Sequence, residues 1–454
     1  MRFRSINPYD GRVLNVYEGH STKQIKTSIV KAHETFLHWR ETSFEQRSRL
    51  MKSAGDELLK NKKIYSESIT LEMGKPIREA IAEIEKCAKV CTYYAEKATK
   101  FLEDIPLETP HGKGYIHFNP LGVVLAVMPW NFPFWQVFRF AAPAIMAGNT
   151  CLLKHASNVP KCALDIEQVF VNAGFPDHMF NSLLIGSGEV ENILQHDLVA
   201  AVTLTGSEPA GSSVASIAGK NIKKSVLELG GSDPFIVLKD AEIDTAAKIA
   251  VRARMLNTGQ SCIAAKRFIL EKGIAEEFKS KFIAELEGYK FGDPMDTATD
   301  FGTLARKDLA QEIFEQVTKS IHLGAKILYG HLPEKVDTAY FPPMILGNLK
   351  PGMPAYEEEI FGPVASFFVV ENEKDAINIA NQSQFGLGGS LWTSDEKKAR
   401  SIAAEIESGA IYVNQMMFSD PTVPFGGIKK SGYGRELSYL GIREFTNQKT
   451  VWMA

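Results

Sequence analysis

The chain has 454 residues, of which 44% are hydrophobic and 23% are charged, and its formal net charge is −3. This composition is typical of a globular protein of two or three domains. The small net charge and the lack of a long basic run argue against nucleic acid or an anionic membrane as a partner.

The N-terminal sequence predicts a cytoplasmic protein. Arg2 and Arg4 are not followed by an apolar segment of the kind a secretory signal needs. The most apolar stretch, residues 121–135, is interrupted by Pro129 and Pro133, so it is too broken to span a bilayer.

The chain contains five cysteines, and an odd, sparse set of this kind argues against a disulfide framework. Cys87 and Cys91 lie four residues apart on a predicted helix. No second Cys or His pair follows at metal-ligand spacing, so we interpret them as packed thiols and expect no metal site.

Three amphipathic helices are predicted to open the chain. Ser21 is placed to cap the first, Ser43 and Gln46 form a capping-box pattern before the second, and Pro76 suits the first position of the third. Residues 105–119 then read as a polar hairpin that interrupts the domain.

From Leu121 to Leu229, short apolar runs alternate with helical stretches. The predicted strands are Leu121–Met128, Cys151–Lys154, Ser182–Ile185, Leu198–Thr205 and Ser225–Leu229, and the predicted helices are 134–147, 160–173 and 208–219. Apolar strands alternating with helices indicate a parallel, doubly wound α/β sheet.

A second α/β pattern runs from about residue 234 to about residue 414. Its predicted strands are Phe235–Leu238, Arg267–Leu270, Val364–Val370, Gly389–Trp392 and Ala410–Val413, with helices near 243–256, 275–288 and 305–323. Residues 449–453 look like a terminal strand that could pair with another subunit.

Cys262 is a candidate nucleophile because small and flexible residues precede it in a loop. A lone cysteine is more often an inert buried thiol, and thiolate chemistry needs a base or a positive environment.

Glu228 is the candidate base: it ends an apolar strand and is followed by two glycines, although such a Glu is often only a solvated or capping group. Partial burial would raise its pKa toward the range of a general base.

Two further loops could serve the same chemistry. Asn131 lies between Pro129 and Pro133, which would hold its amide rigidly as an oxyanion donor, or simply form a turn with a capping Asn. Residues 206–211 follow a strand and open a helix, where free N–H groups could bind phosphate. That motif is by itself a weak signal for a nucleotide site.

Seven motifs, taken together and in order, resemble the aldehyde dehydrogenase superfamily over almost the whole chain. They are Pro-Trp-Asn-Phe (129–132), Leu-Leu-Lys (152–154), Thr-Gly-Ser (205–207), Leu-Glu-Leu-Gly-Gly (227–231), Gly-Gln-Ser-Cys (259–262), Glu-Glu-Ile-Phe-Gly-Pro (358–363) and Pro-Phe-Gly-Gly (424–427).

The resemblance implies NAD(P)⁺-dependent oxidation of an aldehyde to an acid through a cysteine thioester. Cys262 matches the nucleophile, Glu228 the general base and Asn131 the oxyanion donor. Glu228 favours hydrolysis of the thioester over transfer to coenzyme A. The implied cofactor-binding residues are Trp130, Lys154, Ser157, Gly206, Ser207, Leu229, Glu359 and Phe361. A thiol esterase and a non-enzymatic binding protein remain as alternatives.

The resemblance also implies a division of the chain. A Rossmann-type cofactor domain would comprise residues 1–104 and 120–229, and an α/β catalytic domain residues 230–430. A small β oligomerisation element would comprise residues 105–119 and 431–454, and the family forms homodimers and homotetramers.

Within the superfamily, residues 128–139 and 153–156 resemble bacterial succinate-semialdehyde dehydrogenases, which implies conversion of succinate semialdehyde to succinate. Arg139 matches the arginine that holds the substrate's distal carboxylate, although a structural salt bridge is an equal alternative. Some relatives have a second arginine where this chain has Leu256. Ser419 could contribute instead, while Trp135 and Phe425 line the aldehyde site or are plain core. Another aliphatic or carboxylated aldehyde remains possible.

The choice between NAD and NADP depends on Ser157. Many NAD-preferring relatives have a Glu at this position, which repels a 2′-phosphate, and a small neutral residue removes that repulsion. Both cofactors therefore stay open.

Overall fold

The computed structural model describes residues 1–110 and 112–453. The helices are α1 Thr22–Trp39, α2 Phe44–Lys60, α3 Lys62–Met73, α4 Ile77–Phe101, α5 Trp135–Met146, α6 Pro160–Asn172, α7 Glu189–Leu194, α8 Glu208–Lys220, α9 Ile243–Met255, α10 Ala275–Glu287, α11 Lys307–His322, α12 Pro354–Glu357, α13 Glu373–Asn381, α14 Glu396–Glu405 and α15 Ser438–Glu444. The strands are β1 Arg2–Ile6, β2 Val13–Glu18, β3 Ile105–Thr109, β4 Gly112–Pro120, β5 Val123–Met128, β6 Thr150–His155, β7 Phe180–Ser182, β8 Val199–Thr205, β9 Lys224–Glu228, β10 Asp233–Val237, β11 Ala265–Glu271, β12 Lys326–Tyr329, β13 Met344–Gly347, β14 Val364–Val370, β15 Phe385–Gly386, β16 Gly389–Trp392, β17 Ile411–Val413, β18 Ile428–Lys429, β19 Gly432–Tyr433 and β20 Thr446–Met453.

The N-terminal hundred residues differ from the prediction of three helices. A hairpin of β1 and β2 comes first, and four helices follow rather than three. The hairpin is mostly exposed, so it carries little apolar alternation. Helix α3 buries Ser66, Ser68, Thr70 and Glu72 among its apolar residues, which hides its helical period.

The first large sheet has the strand order β19-β9-β8-β5-β6-β7, and all its pairs are parallel except β19 with β9. The predicted doubly wound α/β architecture is thereby confirmed. The strand predicted at Ser182–Ile185 is wrong, because pairing ends at Ser182. Residues 183–185 are apolar because they pack into the core beyond the end of that strand.

The second large sheet has the order β12-β13-β14-β11-β10-β16-β17, with only the edge strand β12 antiparallel to its neighbour. Its five predicted strands are all present within one or two residues of their predicted bounds. Aromatic side chains fill the space between this sheet and its helices, namely Phe235, Phe268, Phe278, Phe282 and Phe367.

Strands β3, β4 and β20 form a three-stranded antiparallel sheet, the β arm. It combines the hairpin of β3 and β4 with the C-terminal strand β20. The terminal strand pairs with β4 of its own chain along all eight of its residues. Before it, β19 joins the first large sheet and α15 packs against α4 and α5. The division into domains stays a prediction. Within residues 1–110 and 112–453, no helix is long and apolar enough to cross a membrane.

Parallel strands bring the predicted site loops together. Strands β5, β8 and β9 are neighbours and end at Met128, Thr205 and Glu228, so the segments that follow them meet at one edge of the sheet. The loop carrying Cys262 enters the second sheet at β11.

Candidate active site

The loops that carry Asn131 and Cys262 are hydrogen-bonded to each other. Asn131 Nδ2 donates to the Gln260 carbonyl at 3.1 Å, and Asn257 Nδ2 donates to the Asn131 carbonyl at 2.7 Å. Asn131 and Cys262 both line one cavity of about 510 Å³, a volume typical of small-molecule sites.

Gln136 orients the Asn131 amide, and sequence reasoning missed it. Its Nε2 donates to Asn131 Oδ1 at 3.0 Å, which leaves Asn131 Nδ2 facing the Cys262 loop. The amide nitrogen has a second N–H, and the backbone N–H of Cys262 donates to no acceptor in residues 1–110 and 112–453. The two groups are thus available as donors to a ligand oxygen.

The loop that carries Cys262 has an unusual backbone. Asn257, Thr258 and Gly259 have φ values of 55°, 56° and 77°, and a β-branched Thr in this left-handed region is strained. Glycine is required at 259, since a Cβ there would lie 2.4 Å from the Gly362 carbonyl. Buried Arg254 stabilises the turn by donating to the Gly259 carbonyl at 2.6 Å.

The Cys262 thiol is half-buried and faces the cavity, whereas the other four cysteines are buried. Burial raises the pKa of Cys262 to about 12, although the positive charges of Arg139 and Lys266 oppose the shift. The thiol is therefore neutral at physiological pH in this state of the protein.

Glu228 is buried at the end of β9, and neither of its carboxylate oxygens accepts a hydrogen bond from the described residues. Its side chain points toward Gly426, where a Cβ would lie 2.7 Å from Oε1, and it does not line the cavity. Burial raises the pKa of Glu228 well above its usual range, and the nearby charge of Glu436 adds to the rise.

Arg139 forms a buried ion pair with Glu436. Its Nη2 donates to Thr205 Oγ1 at 3.3 Å, and its guanidinium lies 4.4 Å from the centroid of the Phe425 ring. The structure thus contains the salt bridge that the sequence left as the alternative for Arg139. Neither Arg139 nor the buried Phe425 is among the residues that line the Cys262 cavity, and their substrate roles stay predictions.

A second cavity, of about 480 Å³, is lined by Phe132, Trp135 and Leu256 together with Lys86. Predicted site residue Ser419 lies beside it, because Trp135 Nε1 and Lys86 Nζ donate to its Oγ at 2.9 and 2.7 Å. Lys86 is a further residue that the sequence analysis missed.

Six predicted cofactor residues line the cavity of Cys262: Trp130, Gly206, Ser207, Leu229, Glu359 and Phe361. Helix α8 begins beside them, with Ser207 at its N-cap, so its free N–H groups face the cavity. Gly211 lets this helix approach, since a Cβ there would lie 2.6 Å from Leu229. The open helix N-terminus and aromatic walls fit a dinucleotide.

Lys266 connects the nucleophile loop to Glu359. Its Nζ donates to the carbonyls of Ser261 and Cys262 at 2.7 and 2.6 Å and pairs with Glu359 Oε1 at 2.9 Å. Glu359 lies close to the backbone of residue 230, which is glycine. A side chain at this position would place a Cβ 2.3 Å from Glu359 Oε2.

Lys154 and Ser157 lie at and just after the end of β6, outside the residues that line this cavity. Lys154 is half-buried and Ser157 is exposed. Between them, His155 Nε2 donates to the Pro133 carbonyl at 2.9 Å, which ties the end of β6 to the Asn131 loop. Burial lowers the pKa of His155 to about 4, so this histidine is neutral.

The missed residues give weak signals in the sequence. Gln136 is, beside Arg139, the other polar residue of a mostly apolar helix and could have been singled out. Lys86, Lys266 and Glu436 are single charged residues whose partners lie far away in the chain, so no local spacing reveals them.

Comparison with known proteins identifies the fold and its family. The model of the "Aldehyde dehydrogenase family" matches residues 1–451. The chain belongs to the aldehyde dehydrogenase family. Among its relatives, a probable succinate-semialdehyde dehydrogenase [NADP(+)] of Synechocystis sp. is 50% identical over 454 residues, which cover all of both chains. Succinate-semialdehyde dehydrogenase [NADP(+)] 1 of Mycobacterium tuberculosis is 48% identical over 457 residues, with both chains fully covered.

Solved structures show the same aldehyde dehydrogenase fold. Succinic semialdehyde dehydrogenase from Streptococcus pyogenes in complex with NADP⁺ is 37% identical, with a TM-score of 0.97 over 99% of each chain. The structure of Gox0499 is 36% identical, with a TM-score of 0.98 over all of both chains.

Proposed function

We propose that this aldehyde dehydrogenase oxidises succinate semialdehyde to succinate with NADP⁺. The observation that carries the proposal is that Asn131 and Cys262 line one cavity in a chain of this family. The relatives that are named as NADP(+)-dependent succinate-semialdehyde dehydrogenases support the substrate and the cofactor.

Cys262 is the nucleophile in this proposal. The thiol loses its proton to solvent, its Sγ bonds to the aldehyde carbon, and the carbonyl oxygen becomes an alkoxide. The Asn131 side-chain amide and the Cys262 backbone N–H donate to that oxygen, an effect worth about 3 kcal/mol for a donor of this kind. The Gln136 bond keeps the Asn131 donor in place.

The eight residues Trp130, Lys154, Ser157, Gly206, Ser207, Leu229, Glu359 and Phe361 would hold the dinucleotide. The dinucleotide would supply a hydride acceptor when bound, and loss of hydride from the carbon attached to Cys262 would leave a thioester on the enzyme. Lys266 sets the distance between the Cys262 loop and Glu359 through its bonds to both. The neutral, exposed Ser157 leaves room for a 2′-phosphate without repulsion.

Glu228 is the proposed general base for hydrolysis of the thioester. It would turn from Gly426 toward Cys262, remove a proton from water, and so release the acid and the free thiol. The raised pKa of Glu228, caused by its burial, gives it the basicity that this step needs.

Trp135, Ser419, Phe425 and Arg139 are the proposed substrate-binding residues. Arg139 donates to Thr205 Oγ1, and Thr205 lines the Cys262 cavity, which supports a position of Arg139 beside that cavity. The apolar walls of Phe132 and Trp135 would also accept an uncharged aliphatic aldehyde, which is the second candidate substrate class.

We also propose that the protein is a cytoplasmic homodimer or homotetramer. All five cysteines are free thiols, as expected in a reducing compartment. Trp452 and Met453 expose apolar side chains on the β arm, and such a surface suits contact with another subunit. Light scattering during size-exclusion chromatography would measure the mass, and a monomer would contradict the assembly.

A steady-state assay tests the function. The purified protein is mixed with NADP⁺ or NAD⁺ and succinate semialdehyde, butanal or pentanal, and reduced cofactor is followed by absorbance. We expect the highest kcat/KM with succinate semialdehyde and NADP⁺. Equal kcat/KM for butanal would contradict the substrate assignment, and cofactor-independent ester hydrolysis faster than dehydrogenation would favour an esterase.

A further inference from the structure

We propose that Lys86 binds the distal carboxylate of the substrate, in a subsite formed with Ser419 and Trp135. This inference rests on the proposed oxidation of a carboxylated aldehyde and adds the residue that selects it. Lys86 lines the second cavity, and its Nζ lies 2.7 Å from Ser419 Oγ and 4.1 Å from the centroid of the Trp135 ring.

Lys86 has no carboxylate partner in residues 1–110 and 112–453. The two acidic groups that act on it are already bonded elsewhere. Glu83 pairs with Lys75 and accepts from the backbone of residues 134 and 135, and Asp420 pairs with Lys89 and accepts from Thr422. Burial and the Arg139 charge lower the pKa of Lys86 to about 8, and a bound carboxylate would relieve this unfavourable environment.

Ser419 adds a donor to the same subsite. Its Oγ accepts hydrogen bonds from both Lys86 and Trp135, so its own proton needs a different acceptor. The described residues provide no acceptor for it. Two Lys86 N–H groups and the Ser419 O–H therefore lie close together, and none of the three has an acceptor among the described residues. A carboxylate requires such a set of donors.

The subsite adjoins the nucleophile cavity through shared segments. Phe132 and Trp135 line the Lys86 cavity, while their chain neighbours Asn131 and Gln136 line the Cys262 cavity. A substrate between the two would therefore extend past the Asn131–Gln136 segment. Arg139 is another cation nearby, but it is held by Glu436. Arg78 and Arg252 also line the Lys86 cavity, and Arg78 pairs with Asp300.

Leu256 bears on which residue gives the cavity its selectivity for a carboxylated substrate. This apolar side chain lines the Lys86 cavity at the position where some relatives have an arginine, so residue 256 itself supplies no charge to the cavity. The charge beside Ser419 and Trp135 comes instead from Lys86 on helix α4, which is far away in the sequence.

The test compares Lys86→Met and Lys86→Arg with Lys97→Met, an exposed control on the same helix. Two quantities are measured in the full-length protein: the ratio of kcat/KM for succinate semialdehyde over butanal, and the inhibition constant of succinate against butanal oxidation. In Lys86→Met the ratio should fall, and the inhibition constant should rise, about tenfold or more. Lys86→Arg and Lys97→Met should keep both values.

Succinate inhibition that is unchanged in Lys86→Met, or absent in the parent protein, would overturn the subsite. The failure of the proposed function would look different. If the parent protein does not prefer succinate semialdehyde to butanal, the proposed substrate is wrong, and succinate inhibition still decides the role of Lys86.

Discussion

Gln136 Nε2 donates a 3.0 Å hydrogen bond to Asn131 Oδ1, and this contact fixes which face of the Asn131 amide meets the nucleophile loop. With its oxygen held by Gln136, Asn131 presents Nδ2 toward Gln260 and Cys262. A residue that touches no reacting atom thus positions the proposed oxyanion donor.

Replacing Gln136 should therefore lower kcat more than it raises KM. We expect about a tenfold loss of kcat in both Gln136→Leu and Gln136→Glu, less than the loss from removing an oxyanion donor itself. The Glu variant keeps the side-chain volume, but its carboxylate cannot donate to Asn131 Oδ1. Gln168→Leu, at an exposed position on α6, is the control. Wild-type kcat in Gln136→Glu would show that the contact is only structural.

The reactivity of Cys262 should depend steeply on pH. Because burial raises its pKa to about 12, the thiolate fraction grows roughly tenfold per pH unit at lower pH, and alkylation follows it. Iodoacetamide incorporation should therefore still be rising at pH 10. Mass spectrometry of the Cys262→Ser variant should show no rapid incorporation, since the other cysteines are buried. A rate that levels off near neutral pH would contradict the raised pKa.

Glu83 should matter more for stability than its neighbours on α4. It forms a buried ion pair with Lys75 and accepts from the backbone N–H groups of Phe134 and Trp135, so its removal leaves a buried cation unpaired. We expect Glu83→Ala to lower the free energy of unfolding by about 3–5 kcal/mol, measured by urea denaturation.

Glu85→Ala is the matched control for this measurement. Glu85 lies on the same helix and pairs with Lys62, but both side chains are about half exposed, so the loss should stay below about 1 kcal/mol. Similar losses in the two variants would show that the buried pair contributes nothing special.

A negative charge at position 157 should shift the cofactor preference. In Ser157→Glu, repulsion of the 2′-phosphate should raise KM for NADP⁺ about tenfold or more and leave KM for NAD⁺ within about twofold. Ser280→Glu, an exposed site on α10, controls for the change of net charge. An equal change of both KM values would place Ser157 away from the ribose.

The architecture was readable from the sequence where the local pattern reflects burial. Strand Val364–Val370 is mostly apolar because six of its seven residues are buried, and its predicted bounds agree with the structure. The β1–β2 hairpin and α3 were missed, because one is mostly exposed and the other buries polar side chains.

The residues of the site also fall into those that the local sequence reveals and those that it does not. Cys262, Asn131 and Glu228 stand in motifs whose local sequence is distinctive, and Asn131 and Cys262 meet at one cavity. The partners that hold them come from distant segments: Lys266 reaches Glu359, and Glu436 reaches Arg139. Such pairs depend on the three-dimensional fold, so one sequence without its fold does not reveal them.

In the proposed mechanism Cys262 carries the acyl group, and Glu228 activates the water that releases it. Intact-protein mass spectrometry of Glu228→Gln, mixed with succinate semialdehyde and NADP⁺ and quenched in acid, tests both parts at once. We predict a stoichiometric burst of NADPH and a mass increase of one succinyl group, located on Cys262 by peptide mapping. Full turnover with unmodified Cys262 would contradict both proposed roles, that of Cys262 and that of Glu228.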